Sequence, residues 1–231
     1  MDSPPIDACA RIRDLFPGAV AAAVATAASF EAPLLRGEET TVRTAVASRR
    51  REFAAGRDCA RRALAQLGGP QGPIPGRDRA PVWPSGFVGS ISHCKGFCAA
   101  VAGRQADFAS IGFDVENLSA LSAAAARIIL TPAETTTLAT APPAPGLPWV
   151  TIAFSAKEAV YKSVHPLTRE RLSFHDVALA FRPDGRFSVE AAASDLSSAH
   201  LFPAIEGRWD VDADRVYTGA CLRAAAIHRS A

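Results

Sequence analysis

The segment Ile111-Gly112-Phe113-Asp114-Val115-Glu116 alternates with a period of two, which fits a β-strand whose two carboxylates leave on the same side. About forty residues later, Phe154-Ser155-Ala156-Lys157-Glu158-Ala159-Val160-Tyr161-Lys162 has the small and apolar residues of a helix, with Glu158 and Lys162 at i and i+4 on one face. If that helix packs over the strand, three carboxylates converge beside a lysine. Such a set of hard oxygen ligands is expected where a divalent cation meets a phosphorylated ligand. Each piece also has a structural explanation. Asp114 and Glu116 fit the wet face of a half-exposed strand, Ser155 and Glu158 match an S-x-x-E capping box, and Lys162 fits a simple i+4 partner of Glu158.

The rest of the chain mixes both kinds of element. A helical stripe of Phe53, Ala60, Leu64 and Leu67 predicts a long helix from about Thr41 to Leu67, stopped by Gly68-Gly69. Arg50, Arg57 and Arg61 fall near one meridian of it, as either an anion-binding row or a solvated basic face. The first forty residues read as a short strand with turns around Val20 to Ala28. Residues 70–86, dense in proline and glycine, predict an ordered loop from which Arg77 and Arg79 project. The stretch Val88 to Gly96 reads as a small polar approach to a buried strand, Phe97 to Ala102. Its amides, Ser92 and His93 can reach a phosphate, with Lys95 nearby. A serine-histidine nucleophile pair is disfavoured, because neighbours on an extended chain point to opposite sides and no glycine elbow surrounds the serine. Thr131-Pro132-Ala133-Glu134 opens a further helix, and the Ser155 helix stops near His165-Pro166. Strands at 177–181, 187–189, 207–211 and 216–222, the last two paired, complete an α+β chain.

Composition narrows the function. With 231 residues, 48% of them hydrophobic, and neither a long apolar run nor a signal-like start at Met1 to Pro5, a globular cytoplasmic protein without a membrane partner is expected. The five cysteines form no C-x-x-C pair and are expected as free, mostly buried thiols, and the spacing of His93, Cys94 and Cys98 does not suit zinc. Net charge is only +2, spread as 14 basic against 10 acidic residues up to position 110 and 11 against 13 beyond it. That excludes a typical nucleic-acid binder and favours a small polyanion as ligand of the first half.

In this order and spacing, five segments resemble a 4′-phosphopantetheinyl transferase of the broad-specificity class that activates surfactin and enterobactin synthetases, in its actinobacterial form. They are Arg49 to Arg57, Pro81-Val82-Trp83-Pro84, Gly89 to Cys94, Ile111 to Glu116, and Phe154 to Glu158 with Tyr161-Lys162. The resemblance is dense over residues 34–165. It implies two related α/β halves in a pseudo-twofold arrangement, residues 1–106 and 107–231, with the active site at their junction near Arg104 to Asp107. It implies coenzyme A as donor, a serine of an apo acyl or peptidyl carrier protein as acceptor, and Mg²⁺, with Mn²⁺ as a substitute, on the pyrophosphate. The protein would act as a monomer.

Residue by residue, the resemblance gives Asp114, Glu116 and Glu158 to the metal, and Glu158 and Lys162 to catalysis, with Glu158 as general base. Arg49 and Arg57 would hold the 3′-phosphate and nucleotide end, Ser92 and His93 the donor's phosphates, and Lys162 its pyrophosphate. Arg79 takes the basic position before Pro-x-Trp-Pro, with Arg77 as its competitor, and Arg50 competes with Arg49. Two other functions fit part of this set: a non-catalytic module binding coenzyme A or carrier protein, and a metal-dependent phosphohydrolase acting on coenzyme A.

Overall fold

A computed structural model describes residues 7–227, so the Met1 to Pro5 segment lies outside the described residues. In chain order the elements are α1 (Ala8–Asp14), β1 (Val20–Val24), α2 (Ala47–Gln66), β2 (Gly76–Arg77), β3 (Ala80–Pro81), β4 (Phe87–Cys94), β5 (Phe97–Arg104) and β6 (Phe108–Asn117). Then follow α3 (Ala123–Ile129), α4 (Pro132–Thr140), α5 (Trp149–Thr168), β7 (Val177–Phe181), β8 (Arg186–Ala191), β9 (Ile205–Val211), β10 (Arg215–Arg223) and α6 (Ala224–Ile227). The class is α+β, with a three-stranded sheet β1-β5-β4, a five-stranded sheet β6-β10-β9-β8-β7, and antiparallel pairing throughout.

Strand alternation distributes the side chains between layers. Ala100 and Ala102 of β5 face α2 through Ala60, Ala63 and Leu64, and these small residues let the helix lie close to the sheet. Ala99 and Val101 face the other way, onto Ile12 of α1 and Leu15 just after it, and onto Phe113, Val115 and Tyr217 of the second sheet. The far face of that second sheet, with Val216, Ala220 and Leu222, is covered by Ile152, Ala156, Ala159, Val160 and Val164 of α5. Each sheet thus carries one long helix, and the sheets share a core between them. Gly112 is required at the α5 crossing, since a Cβ there would overlap the backbone of Ala159 and Ser163.

Several expectations from sequence are corrected. The first forty residues hold helix α1 as well as the strand, and β1 ends at Val24. The arginine-rich helix begins at Ala47, not Thr41. The buried Glu38 takes the amides of Leu35 and Ile74 and the guanidinium of Arg61, and its neighbours Glu39–Val42 form a 3₁₀ turn. The Ser92-His93 stretch is strand β4 and not a loop. Helix α5 starts at Trp149 behind Pro148 and runs through Pro166 to Thr168, so Ser155 is an interior residue and the capping-box explanation of Glu158 falls. The Thr131/Glu134 capping box of α4 is present, as are the C-terminal strands and the β9–β10 pairing. All five cysteines are free thiols; Cys59, Cys98 and Cys221 are buried, whereas Cys9 and Cys94 are half-buried. Among the described residues no helix is long and apolar enough to cross a membrane.

Candidate active site

The site lies where the edge strands β4 and β6 run side by side under α5. On β6, Phe113 and Val115 go into the shared core while Asp114 and Glu116 turn toward α5. Asp114 is buried and fully engaged. Its Oδ1 accepts from Lys162 Nζ at 2.6 Å and from Ser92 Oγ at 2.7 Å, and its Oδ2 accepts from Ser155 Oγ at 2.8 Å. Lys162 Nζ also donates to Ser92 Oγ at 3.0 Å and to the Phe113 carbonyl at 3.2 Å. Lys162 therefore pairs with Asp114 across two elements, and the simple i+4 pairing with Glu158 is not what forms.

Ser155 was missed as a functional residue by sequence reasoning. Fully buried in the middle of α5, it joins Asp114 to Thr218, whose Oγ1 is 2.8 Å away on β10 and whose Cα is the register partner of Asp114. The available signal was the seven-residue spacing of Ser155 and Lys162, two helical turns on the same face. Ser92 has a similar duty, because its buried hydroxyl is spent between Asp114 and Lys162.

Glu116 and Glu158, both half-buried, complete the anionic wall. Burial first, and then the charge of Asp114, push the Glu116 carboxyl up to about 7, against the opposing pull of Lys162. Burial likewise raises Glu158, with Lys162 opposing. Two half-buried carboxylates above their ordinary range beside Lys162 mark this wall as a candidate functional site. Among the described residues no three His, Cys, Asp or Glu side chains form a ready-made metal cluster.

A cleft of about 720 Å³ runs from this wall to α2, lined by Arg49, Arg57, Arg79, His93, Asp114 and Lys162 among others. Strand alternation sends His93 away from Ser92 and toward α2, where Arg49 Nη1 donates to its Nε2. The proton of His93 then sits on Nδ1, 3.9 Å from Glu52. Burial and the charge of Arg49 push this imidazole below its usual range, so it is neutral. Arg57 is buried, donates from Nε to the Ile74 carbonyl at 2.6 Å and lies 4.0 Å over the Phe53 ring. Burial brings it down to about 10, still protonated at neutral pH. Arg49 belongs to this cleft whereas the exposed Arg50 does not line it; similarly Arg79 lines it and Arg77 lies outside, in the β2–β3 pair. On the other side of Glu158 and Lys162 a wider groove of about 890 Å³ opens between Arg127, Ile128, Arg171 and Phe174.

Residues 37–103 match the family model of the 4′-phosphopantetheinyl transferase N-terminal domain, and residues 110–214 match that of the 4′-phosphopantetheinyl transferase superfamily. The chain belongs to the 4′-phosphopantetheinyl transferases. It is similar to the transferase Svp of Streptomyces mobaraensis, 40% identical over 82% of this chain and 78% of that protein. It is equally similar to the transferase PptT of Mycobacterium tuberculosis, 40% identical over 80% of this chain and 84% of the relative. Enterobactin synthase component D of Escherichia coli K12 matches more narrowly, 41% identical over 50% of this chain and 54% of its own. The transferase is therefore an actinobacterial-type enzyme that moves phosphopantetheine onto carrier proteins, with coenzyme A as donor and, as is general in the family, a divalent metal.

Proposed function

We propose that the transfer takes place where the cleft and the groove meet, with magnesium as the metal and manganese as a substitute. The observation that carries this reading is Lys162, whose ammonium lies between the two spaces and lines both. Donor phosphates arriving from the α2 side and an acceptor arriving from the other side meet at that charge.

The residues fit the metal. Asp114, Glu116 and Glu158 are hard oxygen donors, and burial with the charge of neighbouring carboxylates holds the last two above their usual range against the pull of Lys162, a state that a bound cation would relieve. Magnesium takes one or two carboxylates and completes its shell with water and phosphate oxygens, so no closed protein cage is required. Held by these three side chains, it would withdraw charge from the donor pyrophosphate.

The chain's own groups supply the rest. Arg49 and Arg57 hold the 3′-phosphate and nucleotide end, and neutral His93, oriented by Arg49, sits beside the phosphates. Arg79 closes the cleft from the β2–β3 turn. Ser92, which lines the cleft, holds Asp114 and Lys162 in place beside the donor's phosphates. A mostly apolar slot continues past Lys162, walled by Trp83, Ile111, Tyr161 and Pro166, and it suits the pantetheine arm. Trp83 Nε1 and Ser110 Oγ, buried there without partners among the described residues, are available to its amides.

In the chemical step the carrier's serine oxygen bonds to the β-phosphorus. The bond from that phosphorus to the bridging oxygen breaks, adenosine 3′,5′-bisphosphate leaves, and the serine proton goes to Glu158. Lys162 neutralises the charge that grows on the bridging oxygen. Burial brings Glu158 nearer to the range of a useful base, although positioning contributes more than proton removal from an alcohol. The same reading divides the chain into halves 1–106 and 107–231. It is supported by a first sheet built from strands up to Arg104 and a second from Phe108 onward. A monomer in a reducing cytoplasm agrees with five free cysteines.

The test is to incubate the protein with coenzyme A and Mg²⁺, with and without an apo carrier protein, and to weigh the carrier by mass spectrometry. A carrier heavier by one phosphopantetheine is expected, with Glu158→Gln slower by about a hundredfold, or about 2.7 kcal/mol. Breakdown of coenzyme A without a carrier would instead indicate a phosphohydrolase, and binding without any product a non-catalytic module.

A further inference from the structure

A cleft that receives phosphates is an unfavourable place for a carboxylate, yet three line this one among the described residues: Asp114, Asp78 and Glu52. Asp114 is spent on Lys162 and Ser92, and Asp78 pairs with Arg169 at 3.6 Å. Glu52 has a different pair of neighbours. Its Oε2 lies 3.5 Å from Nη1 of Arg49, three residues earlier on α2, and 3.9 Å from Nδ1 of His93 on β4. The side chains of Arg49 and Glu52 are 51% and 40% exposed, and ion pairs so open to water add little to stability. Glu52 therefore repels the ligand of its own cleft without holding the fold together, and its place there calls for a functional reason.

The geometry supplies one. Arg49 Nη1 donates to His93 Nε2, which makes Nε2 an acceptor and leaves the ring proton on Nδ1, the atom that faces Glu52. Which nitrogen of an imidazole carries the proton is set by what the other nitrogen contacts, and a carboxylate beside Nδ1 favours the tautomer that accepts from Arg49. Carboxylate, guanidinium and imidazole thus close a triangle. Among the described residues Nε and Nη2 of Arg49 make no hydrogen bond, so one edge of the guanidinium stays free. A bidentate grip on phosphate needs such an edge, held at a fixed angle.

We propose that Glu52 is a positioning residue for donor binding: it fixes the His93 proton on Nδ1, so that Nε2 holds Arg49 Nη1 and leaves the remaining guanidinium edge to the donor's phosphate. The inference rests on the donor reading above, in which Arg49 meets the 3′-phosphate end of coenzyme A. Glu52 itself touches no substrate and acts through its two neighbours.

The test is steady-state kinetics of Glu52→Ala and Glu52→Gln with coenzyme A and an apo carrier protein. Removing a negative charge from the cleft would by itself strengthen the binding of a polyanion, so charge and aim predict opposite signs. Glu52→Ala should raise the KM for coenzyme A by about fivefold, with kcat, the KM for the carrier and the melting temperature little changed. Glu52→Gln, whose amide oxygen still accepts from Nδ1 although the charge is gone, should keep that KM at or below the wild-type value. Ring-nitrogen NMR shifts of His93 in the free protein should show the proton on Nδ1 in the wild type and in Glu52→Gln, and a mixture of tautomers in Glu52→Ala. A fall in KM for both variants overturns the positioning role, because the carboxylate would then act by charge alone, and so does a His93 tautomer that does not respond to Glu52→Ala. If Arg49→Ala leaves the KM for coenzyme A unchanged in the same assay, the donor reading itself fails and this inference falls with it.

Discussion

Lys157 and Glu134 form the buried ion pair whose loss should cost most. Their side chains are only 2% and 4% exposed, and Nζ lies 2.8 Å from Glu134 Oε2. The other two ammonium protons go to the carbonyls of Ile129 at 2.8 Å and Phe174 at 2.7 Å. Glu134 in turn accepts from the amides of Thr131 and Leu179. One pair thereby ties the end of α3, the start of α4, the middle of α5 and strand β7. Lys157→Met would preserve the packing of the stem but leave a buried carboxylate without its cation and two buried carbonyls without a donor. Breaking such a pair from one side costs about 3–5 kcal/mol, a large share of the roughly 5–15 kcal/mol that holds a domain together. For a chain of this size each kcal/mol moves the melting temperature by about 2–4 °C, so a drop on the order of 10 °C is expected. Urea melts followed by circular dichroism, on Lys157→Met, Glu134→Gln and the double variant, measure it. The double variant should recover part of the summed loss, since removing both charges leaves neither stranded. A single-variant loss below about 1 kcal/mol, or strictly additive losses, would refute the claim that this pair clamps the helices.

Removing the Ser155 hydroxyl (Ser155→Ala) should cost about 1–3 kcal/mol of stability and lower kcat with little change in the KM for coenzyme A, because Asp114 loses its hold on Oδ2; unaltered kcat would make Ser155 a packing residue only. Arg49→Ala should raise the KM for coenzyme A more than that for 3′-dephospho-coenzyme A, and equal effects on the two donors would remove the 3′-phosphate role. Glu116, whose carboxyl stands near 7, holds a proton that a divalent ion must displace. Apparent Mg²⁺ affinity should therefore fall as pH drops below about 7, and calorimetric titrations giving the same affinity on both sides of that pH would contradict the assignment.

How much of this was legible in the sequence depends on whether the information is local. The carboxylate strand announced itself because a period of two is a property of neighbouring residues, and so did the Thr131 capping box and the C-terminal hairpins. Ser155 shows the opposite case. Three residues before a glutamate and ahead of an apolar run, it satisfies every local rule for a helix start, yet α5 begins at Trp149 and the hydroxyl serves Asp114, 41 positions earlier in the chain. Glu38 is similar, since nothing around it in sequence indicates that Arg61 and the Ile74 amide will bury it. Lys162 had two partners on offer, its i+4 neighbour Glu158 and the strand carboxylates under a packed helix, and the nonlocal one, Asp114, is the one that forms because Gly112 lets α5 lie directly on β6. The candidate residues that line the cleft could be picked out by type and spacing, whereas those that hydrogen-bond to them could not. Their partners are set by which strand lies under which helix, and that follows from the packing of the two sheets and not from any single segment.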